Sequence, residues 1–368
     1  MIELIGQPQL TVLASNLEML SDQNSLPSNN SRIETEQTAI KDNVPDIIPF
    51  EKDEDLLGVI KENNTIFFFL GAGFSKQVGF KLWEELVTAT VQKFWEQKES
   101  TPKAREITWS IKEKLLNHES KLYVLDYLKQ IDKDKFVEIV SEIFKEDQDN
   151  IENLAKKNSA ATDDIITIIR PLVKLEWYKF VQTNIDMSFE ENCEIDHQNV
   201  RINANLDDSV KLNYLHGKLD EPDSWILTQG DYLSTYLNSK SGPKAFLVQL
   251  FKKYTVIFIG YGFSDYEILQ CLAQSQQNDN SSEEHRSKRR QHFAIIPYST
   301  SKKAEISVNE AVLKNNFGVR LLKYNIEQHG YELLKDNLSA LVNLIKKVRT
   351  EKEETDTSSS DPTQVCQS

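Results

Sequence analysis

Apolar positions along this chain fall into short dense runs separated by longer amphipathic stretches. Thr65 to Leu70 (TIFFFL) is apolar or β-branched throughout, a length and flanking that predict a buried strand. Trp177 to Gln182, Val210 to Leu215, Tyr254 to Ile259, Phe293 to Pro297 and Val319 to Tyr324 repeat the pattern. Helical spacing fills the gaps, as in Leu82, Leu86, Val87, Val91 and Phe94, or Leu334, Leu338, Leu341, Ile345 and Val348. Thr228 is placed to cap a helix start, with Asp231 in its first turn. Strands alternating with helices across residues 65–348 predict an α/β fold with a Rossmann-like, largely parallel sheet.

The stretch between the first two strand runs is helical almost throughout. Ile107, Ile111, Leu115 and Leu116 recur at helical spacing, then Leu122, Leu125, Leu128 and Ile131, then Phe136, Ile139, Val140 and Phe144. Alternating surface charge accompanies them. An inserted helical subdomain at about residues 95–175 is the expectation, serving as a lid or an assembly surface. The ends differ in composition. Residues 1–50 read as an N-terminal arm followed by a flexible linker, and residues 349–368 as a disordered acidic and Ser/Thr-rich tail. The domain proper is expected to span 51–348.

Charge and cysteine content narrow the picture. The 368-residue chain has 43 basic and 57 acidic residues, a formal charge of −14. That balance disfavours anionic membranes and direct nucleic-acid binding. Cys193, Cys271 and Cys366 lie far apart without C-x-x-C pairing, so a reducing, cytoplasmic compartment and no structural zinc are expected. No apolar stretch is long enough to span a membrane, and no secretory leader pattern is visible.

Candidate chemistry gathers where strand runs end. Gly71-Ala72-Gly73 follows the first run, and Ser75 stands just beyond. A strand, a glycine turn and a helix start leave backbone N–H groups free for an anion, although Lys76 stands where a G-x-G-x-x-G motif has its third glycine. Gly260, Gly262 and Ser264 form a second such turn, and Asp265 there suits a helix cap. After the second run, Thr183, Asn184, Ile185 and Asp186 put two polar side chains on one face if the extended geometry persists. They serve equally as a turn cap or as groups that orient a water or an amide. His216 closes a short run and precedes Gly217. It is either a locally satisfied histidine or a proton acceptor working near neutral pH. Phe80 and Trp83 could line a pocket, but their helical spacing favours core.

Taken in order, GAGFS, QTNID, LNYLHG and IFIGYGFSD resemble the sirtuin-like family, and more closely its bacterial zinc-free branch found in anti-phage defence. The resemblance covers about residues 62–325 and implies NAD as substrate, with no metal. It implies His216 as general base on a ribose hydroxyl, Asn184 as the residue that positions water, and Asp186 near the nicotinamide carboxamide. Gly71, Ala72, Gly73 and Ser75 are implied at the pyrophosphate, and Gly260, Gly262 and Ser264 at the adenosine end. Sirtuins have T-Q-N-I-D where this chain has Gln182-Thr183-Asn184-Ile185-Asp186, so Thr183 replaces a ribose-binding glutamine. The zinc module and peptide groove of protein-deacylating sirtuins have no counterpart, which makes water the expected acceptor and NAD hydrolysis to nicotinamide and ADP-ribose the expected reaction. The alternatives are an NAD- or ADP-ribose-binding regulatory subunit, and a protein deacylase or ADP-ribosyltransferase. The resemblance further implies an NAD-depleting defence role, a homo-oligomer, and a separately encoded partner such as a HerA-type ATPase.

Overall fold

The computed structural model describes residues 49–358 except 63–64, 99–104, 106, 158–163, 204, 208, 238–241, 277–289 and 328–329. The expected N-terminal arm and linker lie outside the described residues, apart from Pro49 and Phe50.

Each long apolar run is a strand. They are β1 (Ile66–Leu70), β2 (Tyr178–Gln182), β4 (Leu212–Tyr214), β5 (Thr255–Ile259), β6 (His292–Tyr298) and β7 (Val319–Asn325), with β3 (Val200–Ile202) at one edge. All pair in parallel, in the order β3-β4-β2-β1-β5-β6-β7. This is a doubly wound sheet. Chain progress runs outward from β1 through β2 to β4 on one side and from β5 to β7 on the other, so the direction of winding reverses between β1 and β5.

Alternation along β1 divides the core. Ile66, Phe68 and Leu70 face α1 (Glu54–Lys61), α7 (Ile165–Val173) and α13 (Glu332–Ser358). Phe67 and Phe69 face the opposite layer, made by α9 (Gln229–Tyr236), α10 (Pro243–Lys253), α11 (Tyr266–Gln276) and α12 (Lys303–Phe317). Because both faces are covered, β1, β2 and β5 are buried at every position, which is why they read as unbroken apolar runs.

Between β1 and β2 the chain forms α2 (Ala72–Val78), α3 (Trp83–Glu96), α4 (Trp109–Leu116), α5 (Lys121–Ile131), α6 (Lys133–Lys157) and α7. Helices α3 to α6 supply most of a third core, including Phe80, Val91, Phe94, Leu128 and Val140. Phe80 is buried with its ring tilted against Phe144, and Trp83 packs half-buried against the same cluster, so both belong to packing. Helix α7 instead belongs to the sheet core, and it runs through Pro171 to Val173. The polar stretch from Phe189 to Asn203 holds the end of α8 (Ser188–Asn192) and the edge strand β3. Helix α13 passes Val348, where an unstructured tail was expected, and ends at Ser358; residues 359–368 lie outside the described residues. Among the described residues no helix is long and apolar enough to cross a membrane.

Candidate active site

Register places the candidate residues on one ledge. Leu70 pairs with Gln182 on one side and Ile259 on the other, and Gln182 pairs with Tyr214. One residue further on, Gly71, Thr183, Gly260 and Leu215 therefore leave four adjacent strands at the same level. Asn184 and His216 follow one step later. The ledge lies at the carboxyl ends of parallel strands, at the point where the winding reverses, which is where open α/β sheets bind ligands.

The two glycine turns are packed backbone to backbone. The N–H of Gly71 donates to Ile259 O at 3.0 Å, and that of Gly73 donates to Gly260 O at 2.8 Å. A Cβ on Gly71 would meet Gly260 O at 2.5 Å, and one on Gly260, which has φ +65°, would meet Phe74 N at 2.1 Å. These glycines are required by the contact between the turns. The contact also occupies donors. Since Gly73 N–H is given to Gly260 and Phe74 N–H to Gly71 O (2.9 Å), Ala72 has the first open N–H of α2 among the described residues. Gly262 and Ser264 are exposed at the rim, and a Cβ on Gly262 would meet nothing within 4 Å.

Asp186 is 2% exposed and fully committed. Its Oδ2 accepts from Ser75 Oγ at 2.6 Å, and its Oδ1 accepts from the hydroxyl and the N–H of Ser188. Burial pushes this carboxyl above the usual range, opposed by the Ser188 and Ser75 donors. The arrangement staples α2 to the loop after β2. It also means that the Ser75 proton is directed at Asp186. Asn184 Nδ2 donates to Gly71 O at 2.9 Å, and its Oδ1 accepts from no group among the described residues. Thr183 is held by its N–H on Leu70 O at 3.1 Å. Gln182, displaced one place from the family pattern, turns inward, where Nε2 braces the loop through the carbonyls of Asn184 (3.2 Å) and Asp186 (2.9 Å).

His216 is 5% exposed and lies between two tyrosines of α9. Its Nε2 is 3.2 Å from Tyr236 Oη and its Nδ1 3.4 Å from Tyr232 Oη. Tyr232 Oη donates to Asp265 Oδ1 at 3.1 Å, and Tyr261 Oη donates to Asp265 Oδ2 at 3.0 Å. Asp265, expected as a helix cap, thus gathers two tyrosine hydroxyls. Burial holds His216 below the ordinary histidine value, with Asp265 pulling the other way. Burial, reinforced by the Asp265 carboxylate, pushes Tyr232, Tyr236 and Tyr261 well up. Burial thus favours the neutral ring.

The loop after His216 is equally fixed. Gly217 has φ +92°, and a Cβ there would meet Ser224 O at 2.4 Å. Lys218 Nζ pairs with buried Glu190 at 3.2 Å, and Glu190 also accepts from Tyr214 Oη at 2.8 Å. The capping box of α9 is present, with Thr228 Oγ1 accepting from Asp231 N and Asp231 Oδ2 accepting from Thr228 N. It sets the helix that carries Tyr232 and Tyr236. These tyrosines were not singled out from sequence. Their i, i+4 spacing just after the histidine loop is the signal that could have done so.

A ledge of glycine turns at the switch point of a doubly wound parallel sheet is the arrangement with which open α/β sheets bind nucleotides. Residues 179–322 match the SIR2-like domain family. A SIR2-like domain is thus present, with the sirtuin-like NAD-binding fold. The match takes in Asn184, His216 and the turn at Gly260, and begins after the turn at Gly71. Comparison with curated proteins gives no match. Among the described residues no group of three or more His, Cys, Asp or Glu side chains is placed to hold a metal, and Cys193 and Cys271 are buried singly.

Proposed function

We propose that this protein hydrolyses NAD to nicotinamide and ADP-ribose. The observation that carries the reading is the placement of neutral, buried His216 and of Asn184, with an open carbonyl oxygen, on the ledge that also holds both glycine turns. The bond between the nicotinamide nitrogen and the ribose carbon breaks, and the electron pair leaves with nicotinamide as a neutral ring. Positive charge develops on the ribose, as in other glycosidic cleavages. Asn184 Oδ1 accepts a hydrogen bond from the attacking water, and His216 Nε2 takes the proton from a ribose hydroxyl, which regains one from the attacking water as the new C–O bond forms. His216 then gives its proton to solvent, so that one proton is released per turnover. Asp186 and Ser75 hold the turn against which the substrate lies. The net charge of −14 gives a pyrophosphate no long-range attraction, so affinity rests on local donors such as Ala72 N–H and on the rim residues Gly262 and Ser264.

Water is the acceptor in this reading because the chain has only three cysteines, too few for the zinc module of protein-deacylating sirtuins. The resemblance of the GYGFSD turn to the defence branch supports a role as the NAD-depleting effector of an anti-phage system. In that setting the chain works in the cytoplasm as a homo-oligomer, beside a separately encoded partner of the HerA ATPase type.

The test is incubation of the purified chain with NAD and chromatography of the products, beside His216→Ala and Asn184→Ala. Equal amounts of nicotinamide and ADP-ribose are expected from the unaltered chain. His216→Ala should lower the rate by about 10² or more, the usual worth of a general base. NAD binding without any release of nicotinamide would turn the reading to a binding module. Absence of binding would remove the site itself.

A further inference from the structure

Proton counting around His216 assigns its tautomer. Tyr232 Oη has one hydrogen and two neighbours, Asp265 Oδ1 at 3.1 Å and His216 Nδ1 at 3.4 Å. A carboxylate attracts a hydroxyl proton more strongly than a neutral ring nitrogen does, and here it is also the nearer acceptor. With that proton given to Asp265, only the lone pairs of Tyr232 Oη face the ring. The contact at Nδ1 is satisfied only if Nδ1 has the hydrogen and donates it. Nε2 is then bare, and Tyr236 Oη donates to it at 3.2 Å. Tyr261 holds the other oxygen of Asp265 at 3.0 Å, which keeps the carboxylate aimed at Tyr232. Packing fixes the geometry further. The Tyr232 ring meets the His216 ring edge-on at 5.2 Å, and the two α9 tyrosines stack at 5.7 Å.

We propose that Tyr232 and Asp265 are positioning residues for His216, an Asp–Tyr–His relay that holds the imidazole in its Nδ1–H form and so presents Nε2 as the proton acceptor. The inference rests on the reading of His216 as the base, and it deepens that reading by naming what fixes the base. A ring carrying its hydrogen on Nε2 donates to Tyr236 Oη and cannot take a proton there, whereas in the Nδ1–H form Nε2 accepts from that hydroxyl, and a substrate proton reaches Nε2 through it or in its place. The relay reaches the ring through an uncharged hydroxyl, so Asp265 sets the proton's position without forming an ion pair with the ring.

The experiment is histidine-selective 15N labelling of the full chain, with long-range proton–nitrogen correlation to read which ring nitrogen bears hydrogen. The chain has six histidines, and loss of one signal in His216→Gln assigns the relevant ring. The Nδ1–H form is expected in the unaltered chain. Asp265→Ala frees the Tyr232 proton for Nδ1 and should shift His216 to the Nε2–H form. Tyr232→Phe, which keeps the ring packing, should do the same by removing the acceptor. Asp265→Asn retains an oxygen for the Tyr232 proton and should leave the tautomer in place, whereas a mere packing defect would not separate Ala from Asn. With NAD, Asp265→Ala and Tyr232→Phe should lower kcat about tenfold or more, with KM within about twofold. An Nε2–H ring in the unaltered chain, or an unmoved tautomer in either Tyr232→Phe or Asp265→Ala, overturns the proposal. The tautomer is read without turnover, so a chain that never releases nicotinamide yet keeps the Nδ1–H ring fails as a hydrolase and not as a relay.

Discussion

Two buried histidines in this protein are held neutral for different ends. His216 meets hydroxyls at both nitrogens. His292 uses Nδ1 to accept from the N–H of Val256 at 3.2 Å, while its Nε2 has no partner among the described residues and the ring lies edge-on to Phe251. A proton on Nδ1 would break the bond to Val256 and place charge among aromatic rings. Burial, with Arg290 adding repulsion, accordingly lowers His292 to about 3. The folded value lies below the unfolded one of roughly 6.5, so as pH falls the unfolded state takes up the proton first, and stability is lost from about pH 6.5 downward. Between pH 6.5 and 5 this single ring should cost about 2 kcal/mol. His292→Asn keeps a side-chain oxygen near the Nδ1 position and does not titrate. Urea unfolding of both chains at pH 7 and pH 5 should show about 2 kcal/mol less acid loss in the variant; equal losses would contradict the assignment.

Among the elements, the paired turns make two glycines of one motif respond oppositely. Gly260 has φ +65° and no room for a Cβ beside Phe74 N, whereas Gly262 has open space around it. Gly260→Ala should therefore fail to fold, or lose more than about 3 kcal/mol, because neither backbone can give way. Gly262→Ala should keep its urea midpoint, since a methyl there meets nothing, and weaken NAD binding measured by calorimetry if the proposed ligand lies over this turn. Unchanged affinity in Gly262→Ala would place the ligand elsewhere. Sequence made these turns visible because glycine has few other uses directly after a buried strand. What it could not convey is that the Gly71 and Gly260 turns touch, since that depends on β1 and β5 being neighbours in the sheet. The strands themselves were legible where both faces are buried. β3 was not, because an edge strand of alternating partial exposure leaves no continuous apolar run. Tyr232 and Tyr236 escaped for a similar reason, as an aromatic stripe on a helix reads as core until its hydroxyl partners are known.

At the scale of the whole molecule, the helical layer and the site share side chains. The third core is closed by Ile185, which sits between Asn184 and Asp186, and by Trp225 and Leu227, which follow the His216 loop. Leu219 N–H also donates to Ile185 O at 2.8 Å, tying the loop after β4 to the loop after β2. Lys129 of α5 reaches Asp231 at the start of α9 at 2.7 Å, but that pair is partly exposed and contributes little. The apolar contact is therefore the coupling that matters. Packing of α3, α5 and α6 presses on the backbone that aims Asn184, so whatever loosens the layer loosens the site. Ile185→Ala should cost about 2–5 kcal/mol, the range for truncating a buried isoleucine, and Ile185→Val about 0.5–1.5 kcal/mol. Both leave the glycine turns untouched. Hydrogen exchange should accelerate in α3, α5 and α6 more than in α10 or α13, and NAD turnover should fall in the same order as stability, although Ile185 itself holds no proton or ligand. Exchange that rises evenly across the sheet helices would mean the layer is merely part of one core. Exchange confined to the layer together with lost turnover would mean that any partner gripping α3 to α6 can tune the site through Ile185.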